Sequence, residues 1–134
     1  DKKVKINIEL KGANTAKPVA GLVDQYIKEK GWSVAHFMIS SFNHYELKIF
    51  NDLNPEVRIG ALITGIPIGY AEFAEKVNAS SVNLCIEFIN QEFVDDAHKR
   101  GLQVYVWTVN DEDDIARMKA LGVDGMFSNF PDRL

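Results

Sequence analysis

The stretch that decides the fold is VKINIELK, residues 4–11. Apolar and polar side chains alternate along it, as they do in a β-strand whose successive side chains point to opposite faces. One face carries Ile6, Ile8 and Leu10, and the other carries Asn7, Glu9 and Lys11. A polar row on a strand of a parallel sheet is typical of the interior of a barrel near its catalytic rim.

Further short runs of apolar, β-branched or aromatic residues follow this stretch at intervals of about 20–25 residues. The predicted strands are Val4–Leu10, Phe37–Ser41, Arg58–Ile63, Ser81–Ile86, Gln103–Val109 and Gly125–Asn129. Helical patterns lie between them, and this alternation predicts an α/β fold with a parallel sheet.

The predicted helices have recognisable ends. They are Pro18–Gly31, Glu46–Leu53, a weaker segment from Ala71 to Val77, Asn90–Gly101 and Asn110–Gly122. Asn90 and Asn110 are predicted to cap their helices, because an Asn side chain can accept a hydrogen bond from an amide of the first turn.

Six strand–helix units can form an open doubly wound sheet or most of a barrel. Strands buried on both faces of an open sheet have continuous apolar sequences, whereas residues 4–11 alternate. In addition, no predicted strand is followed by the glycine-rich phosphate loop typical of nucleotide-binding doubly wound sheets. The sequence therefore predicts a TIM (β/α)8 barrel that is incomplete, with six of the eight βα units. We interpret residues 1–134 as a partial barrel domain, with two units supplied from upstream of Asp1 or by another chain.

Composition narrows the class of protein. Of the 134 residues, 46% are hydrophobic and 25% charged, as in one soluble globular domain. A net charge of −4 argues against a nucleic-acid partner, because phosphate backbones are bound by clustered Lys and Arg. The apolar stretches are too short to span a membrane. The single cysteine, Cys85, excludes an internal disulfide and is predicted to be a small buried hydrophobic residue.

Glu9 and Lys11 are the residues of greatest chemical interest. Glu9 lies near the carboxyl end of the first strand, where barrel enzymes place catalytic groups. A carboxylate inside a barrel needs compensation, and periodicity does not distinguish a divalent metal from a salt bridge to Lys11. Lys11 can hold a phosphate, form a Schiff base with a carbonyl substrate, or extend into solvent.

Other polar and aromatic residues allow two interpretations each. Trp107 can form the wall of a substrate pocket or pack in the core. The hydroxyl groups of Ser40 and Ser41 lack the glycine elbow of a nucleophile, so a turn or helix capping by Asn43 is favoured. The histidines are not spaced as metal ligands and are predicted to be surface or packing residues. They are His36, His44 and His98.

Four segments together resemble the glycerophosphodiester phosphodiesterase family. They are Ile6–Lys11 (INIELK), Ser40–Phe42 (SSF), Val106–Asn110 (VWTVN) and Val123–Asp132 (VDGMFSNFPD). They follow the family's order and spacing and cover nearly the whole chain. One departure is the pair Ser128-Asn129, where the family often has Thr-Asp.

The resemblance implies metal-dependent hydrolysis of a glycerophosphodiester to glycerol 3-phosphate and an alcohol. By match to the family motifs, Glu9 would bind a divalent cation, Ca²⁺ or Mg²⁺, and Lys11 would be a catalytic residue that contacts the substrate phosphate. Phe42 and Trp107 would line the glycerol end of the pocket. The family's HRG, PENT, ElD and HD segments, which supply the acid–base groups and most metal ligands, have no counterpart in this sequence.

Three hypotheses follow from these patterns. The first is part of a phosphodiesterase that acts on a small-molecule glycerophosphodiester, with the chain inactive alone. The second is a non-catalytic glycerophosphate-binding or assembly domain, and the third is a Schiff-base aldolase that uses Lys11. We expect a missing N-terminal segment or self-association to cover the open edge strands.

Overall fold

In a computed structural model of the chain, which describes residues 4–134, six parallel strands form one sheet in sequential order. The strands are β1 (Ile6–Glu9), β2 (Phe37–Ser41), β3 (Arg58–Ile63), β4 (Ser81–Cys85), β5 (Gln103–Trp107) and β6 (Gly125–Met126). The α-helices are α1 (Ala16–Lys30), α2 (His44–Leu53), α3 (Glu72–Glu75), α4 (Gln91–Lys99) and α5 (Glu112–Leu121). Short 3-10 helices span Val34–His36, Ile86–Phe88 and Pro131–Arg133.

The strand order confirms the predicted barrel wall. Each crossover leads to the next strand on the same side, so the order lacks the reversal that defines a doubly wound sheet. The six strands curl into a half-barrel with the helices outside, which is an incomplete TIM barrel.

The hydrophobic core lies between the sheet and the helices. Seven outward-facing strand residues are at most 1% exposed and are Ile39, Ile59, Ala61, Val82, Leu84, Val104 and Val106. The helices bury Val23, Leu47, Phe50, Phe93, Val94 and Met118 to the same degree. The inward-facing positions alternate with these and are largely polar, as residues 4–11 predicted.

Several helix ends agree with the sequence. Gly31 and Gly122 follow α1 and α5 with φ of 67° and 77°, in the left-handed region that favours glycine. The Asn90 side chain accepts a hydrogen bond from the amide of Phe93 at 2.9 Å, so its predicted capping role is confirmed. Among residues 4–134, none of the helices combines the length and hydrophobicity needed to cross a bilayer.

The predicted cap at Asn110 is wrong. The residue at the start of α5 is Asp111, which makes no side-chain capping hydrogen bond. The Asn110 side chain instead accepts hydrogen bonds from the amide of Asn129 at 3.0 Å and the hydroxyl of Ser128 at 3.4 Å. Both donors belong to the segment after β6, so a tertiary contact has replaced the local one.

Further predictions need correction. The third helix is a single turn, Glu72–Glu75, because the amides of Lys76, Val77 and Asn78 bond carbonyls only three residues earlier. Asn78, with φ of 53°, then turns the chain out of the helical conformation. Cys85 is half-buried rather than buried, since it lies at the end of β4 where the sheet meets the rim. β5 and β6 also end two and three residues before their predicted limits, Val109 and Asn129.

Candidate functional site

A cavity of about 320 Å³ opens on the inner face of the sheet, at the carboxyl ends of the strands. Glu9, Lys11, Phe42 and Trp107, the residues chosen from the sequence, all line it. They come from β1, β2 and β5 or from the residues directly after them. Parallel α/β barrels place their ligands at this end of the sheet.

Glu9 and Lys11 form an ion pair at one side of the cavity. The distance from Lys11 Nζ to Glu9 Oε2 is 3.7 Å, and the side chains are 79% and 31% exposed, respectively. The salt bridge considered from the sequence is therefore present. An exposed pair of this kind contributes little to stability, and it leaves the Glu9 carboxylate at the cavity surface.

The donor chemistry of Glu9 fits a hard divalent cation, whose preferred ligands are oxygens. Within the part of the chain that the structure describes, no three His, Cys, Asp or Glu side chains gather closely enough to hold a metal. Ca²⁺ takes about six to eight oxygen ligands, and Mg²⁺ can combine one or two carboxylates with water and phosphate. Within residues 4–134, Glu9 can therefore supply one carboxylate ligand to such a cation.

Phe42 and Trp107 form an apolar part of the cavity lining. Their rings meet edge to face, with centroids 5.4 Å apart and an interplanar angle of 88°. The Trp107 indole Nε1 donates a 3.0 Å hydrogen bond to the backbone carbonyl of Asn83, which fixes the ring. Of the two interpretations of Trp107, the structure places it in the pocket wall.

Two buried polar residues form the cavity floor, Ser40 and Asn83. They are 1% and 0% exposed. Sequence reasoning missed Asn83 and assigned Ser40 only to a turn. The Ser40 hydroxyl and the Asn83 amide nitrogen each lack a hydrogen-bond partner. The alternation argument that found Glu9 would also have found Asn83, because it is a polar residue between the apolar Val82 and Leu84.

Glu46 was also missed, although it supports the segment that follows Lys11. This α2 carboxylate is 5% exposed and accepts hydrogen bonds from the amides of Asn14 at 2.7 Å and Ala16 at 2.8 Å. These backbone donors lower the pKa of Glu46 below its usual value, with the amide of Ala16 contributing most. Glu46 therefore fixes the start of α1, where Thr15 makes no side-chain capping bond.

The histidines lie away from the cavity lining, in agreement with their prediction as surface or packing residues. His44 Nε2 lies 2.8 Å from the carbonyl oxygen of Leu62, and its ring stacks on Phe73. His98 Nε2 lies 2.9 Å from the Asp124 carboxylate. His36 contacts Ser33 at the opposite end of β2.

The helix cap predicted at Asn43 is confirmed, because its side chain accepts a hydrogen bond from the backbone amide of Tyr45.

The fold and the position of the cavity place this chain in the class of (β/α)8-barrel proteins. The model of the Glycerophosphoryl diester phosphodiesterase family matches residues 1–133, and the chain belongs to that family.

Relatives with known names agree with this assignment. The chain is 32% identical to a glycerophosphodiester phosphodiesterase of Caldanaerobacter subterraneus subsp. tengcongensis, over 100% of the chain and 55% of that protein. It is 30% identical to a glycerophosphodiester phosphodiesterase of Bacillus altitudinis, over 96% of the chain and 53% of that protein. The chain thus spans about half the length of the curated relatives it matches.

Solved structures show the same fold. The crystal structure of a protein from Galdieria sulphuraria matches with a TM-score of 0.82 at 29% identity. The match covers 96% of this chain and 54% of the Galdieria chain. An Oleispira antarctica phosphodiesterase, solved in complex with the product sn-glycerol-3-phosphate, matches with a TM-score of 0.83 at 26% identity. That match covers 96% of this chain and 53% of the Oleispira protein.

Proposed function

We propose that this chain forms part of a phosphodiesterase that hydrolyses glycerophosphodiesters to glycerol 3-phosphate and an alcohol. The observation that carries the proposal is the gathering of Glu9, Lys11, Phe42 and Trp107 around one cavity at the carboxyl ends of the strands. Membership of the family and the product bound to the Oleispira relative support the same substrate class.

Glu9 and Lys11 would act on the phosphate. Glu9 would be one ligand of a divalent cation, Ca²⁺ or Mg²⁺. That cation would polarise the phosphoryl oxygens when bound. The Lys11 ammonium, which reaches the cavity on a flexible stem, would bind a phosphate oxygen and offset the negative charge that develops during cleavage.

Phe42 and Trp107 would bind the glycerol end of the substrate. Their edge-to-face contact presents an apolar surface against which the CH groups of glycerol can pack. Because the indole is tied to the Asn83 carbonyl, this surface is rigid, and it holds the substrate in one orientation relative to Lys11.

Hydrolysis also needs a proton donor for the leaving alcohol and a base for the attacking nucleophile. In residues 4–134 the cavity lining contains no histidine, and Glu9 is its only carboxylate. We therefore propose that the acid and base come from further barrel units, and that the chain alone hydrolyses glycerophosphocholine negligibly.

A chimeric barrel tests this proposal. The first two βα units of the Caldanaerobacter relative are joined upstream of this chain, and release of glycerol 3-phosphate from glycerophosphocholine is measured with Ca²⁺ or Mg²⁺. We expect turnover in the chimera, little turnover in the chain alone, and loss of turnover in the chimeras that carry Glu9→Gln or Lys11→Ala. Equal turnover by the chain alone, or by both variants, would contradict the assigned roles.

Binding without catalysis is the second candidate function. It is favoured because residues 4–134 supply a single carboxylate to the cavity, which suits a ligand-binding site better than a complete hydrolytic one. Calorimetry of the chain with glycerol 3-phosphate and Ca²⁺ or Mg²⁺, together with the turnover assay on the chimera, separates the two. Heat of binding without turnover in the chimera would support a binding domain.

The aldolase hypothesis has no structural support. A Schiff-base lysine needs a desolvated site, and the Lys11 side chain is 79% exposed and next to a carboxylate. Borohydride trapping with a carbonyl substrate is accordingly expected to leave Lys11 unlabelled.

The open edges of the half-barrel need a covering partner. Among the described strands, β1 pairs only with β2 and β6 only with β5, so each has one unpaired side. We propose that additional barrel units or a second copy of the chain cover them. Light scattering of the chain at several concentrations is expected to show self-association, and a monomer throughout would contradict the second alternative.

A further inference from the structure

We infer that Ser40 and Asn83 form a hydroxyl-binding subsite on the cavity floor that takes an oxygen of the glycerol unit. The inference rests on the function proposed above and adds a recognition element that neither the motifs nor the matched family segments assign. It is carried by two unpartnered, buried polar groups that line the same cavity.

The orientation of the Asn83 side chain is fixed by its neighbours. The Ser81 hydroxyl donates a 2.9 Å hydrogen bond to Asn83 Oδ1. The backbone carbonyl of the same residue accepts from the Trp107 indole. The amide nitrogen, Nδ2, is the one polar group of the side chain without a partner.

Gly60 provides the space in which this amide lies. It is on β3, between the strands that carry Ser40 and Asn83, and it pairs directly with Ser40 in the sheet register. The position of a Cβ on Gly60 would be 2.8 Å from Asn83 Nδ2, so the amide nitrogen lies directly over the glycine. Because Gly60 has no side chain, the Asn83 amide on β4 can lie over β3, toward the strand that carries the Ser40 hydroxyl.

Ser40 connects this floor to the charged side of the site. In the register of β1 and β2, Ser40 lies opposite Glu9. Its hydroxyl is 1% exposed and has no hydrogen-bond partner, whereas the adjacent Ser41 hydroxyl donates to the carbonyl of Leu10 at 2.6 Å. The two serines therefore differ in role: Ser41 joins β2 to the segment after β1, and Ser40 faces the cavity.

Buried polar groups are nearly always hydrogen-bonded in folded proteins, because leaving a donor unpaired away from water costs free energy. The Ser40 hydroxyl and the Asn83 amide nitrogen line the same cavity without a partner, so we expect a ligand bound in that cavity to supply a hydrogen-bond acceptor. A hydroxyl oxygen fits, because it can accept from the Asn83 amide and either accept from or donate to Ser40.

Position favours the glycerol hydroxyl over the phosphate. Asn83 is bonded to Trp107, on the apolar side where the carbon skeleton of glycerol would pack. The cationic side chain that suits a phosphate, Lys11, belongs to the segment after β1, three strands away in the sheet from β4, which carries Asn83. A ligand phosphate on Lys11 would thus direct the glycerol unit toward Asn83.

Two ligands and three variants test the inference. Binding of glycerol 3-phosphate and of propyl phosphate, which lacks both hydroxyls, is measured by calorimetry with Ca²⁺ for the parent chain, Ser40→Ala and Asn83→Ala. Ser80→Ala is the matched control, because its hydroxyl donates to the carbonyl of Ile59 outside the cavity. Thermal melts accompany each variant, and if Asn83→Ala fails to fold, Ser40→Ala carries the test alone.

We expect Ser40→Ala and Asn83→Ala each to weaken glycerol 3-phosphate binding about threefold to tenfold, the effect of one hydrogen bond, and to leave propyl phosphate binding unchanged. Removing the unpartnered hydroxyl of Ser40 should not lower the melting temperature. Unchanged affinities, or equal losses for both ligands, would overturn the subsite while leaving the proposed function intact. A parent chain that binds neither ligand would overturn the subsite, and turnover in the chimera tests the proposed function separately.

Discussion

Gly60 and Asn83 approach each other so closely that no side chain can stand between them. A Cβ on Gly60 would lie 2.8 Å from Asn83 Nδ2, 3.0 Å from its Oδ1 and 3.1 Å from Ser81 Oγ. Real Cβ atoms essentially never come within 3.0 Å of such atoms. The glycine therefore determines where the amide on the cavity floor lies.

Substitution of this glycine is expected to destabilise the protein and disturb the cavity floor. Gly60→Ala should lower the free energy of unfolding by about 1–3 kcal/mol, the usual cost of overpacking a filled site, and should weaken glycerol 3-phosphate binding. Gly21→Ala is the matched control, because nothing lies within 4 Å of its Cβ position on an exposed face of α1. That control should raise stability by about 0.5–1 kcal/mol. Urea unfolding measures both, and the same sign for the two variants would contradict the packing account.

The buried carboxylate of Glu46 predicts a specific pH dependence. Its pKa is lowered by the amides of Ala16 and Asn14, so the carboxylate stabilises the fold above its unfolded-state pKa of about 4.3. That contribution is lost as the pH falls through the lower pKa of the folded state. Glu46→Gln should reduce stability at neutral pH, and its deficit relative to the parent should shrink as the pH falls through the lowered pKa of the folded state.

Unfolding curves of the parent and Glu46→Gln across this range provide the measurement. Glu56→Gln is the control, because Glu56 is an exposed residue in the turn before β3. A deficit in Glu46→Gln that is independent of pH would contradict the role of the charged form.

The two tryptophans of the chain allow ligand binding to be followed by fluorescence. Trp32 packs against Phe37 near the amino end of β2, remote from the cavity, whereas Trp107 lines it. In Trp32→Phe, where Trp107 is the sole tryptophan, glycerol 3-phosphate should change the emission. In Trp107→Phe it should leave the emission of Trp32 unchanged, and loss of the indole hydrogen bond should cost about 1 kcal/mol of stability. The opposite pattern of emission would place the ligand elsewhere.

The parts of this protein that the sequence predicts correctly are those set by local pattern. The alternation of residues 4–11 places Glu9 and Lys11 inward, and the parallel register then brings Phe42 and Trp107 to the same rim. Gly31 and Asn90 end and begin their helices as expected, because each uses the conformation or hydrogen bond of its own segment.

The parts that the sequence does not predict depend on residues distant in the chain. Asn110 has the character of a helix cap, but the segment after β6 supplies competing donors from Ser128 and Asn129. Glu46 holds amides 30 and 32 positions away. The position of the Asn83 amide depends on its contact with Gly60 on the neighbouring strand, which the sequence alone does not indicate. In each case a tertiary neighbour, rather than the residue type, decides the role.

We propose that the Glu9 carboxylate, at the inner surface of the half-barrel, helps a divalent cation to bind a phosphate. Calorimetry of glycerol 3-phosphate binding, with and without Ca²⁺, tests it in the parent chain, in Glu9→Gln and in the exposed control Glu87→Gln. Calcium is predicted to strengthen binding in the parent and in Glu87→Gln, and to have no effect in Glu9→Gln. An undiminished effect of calcium in Glu9→Gln would contradict the claim.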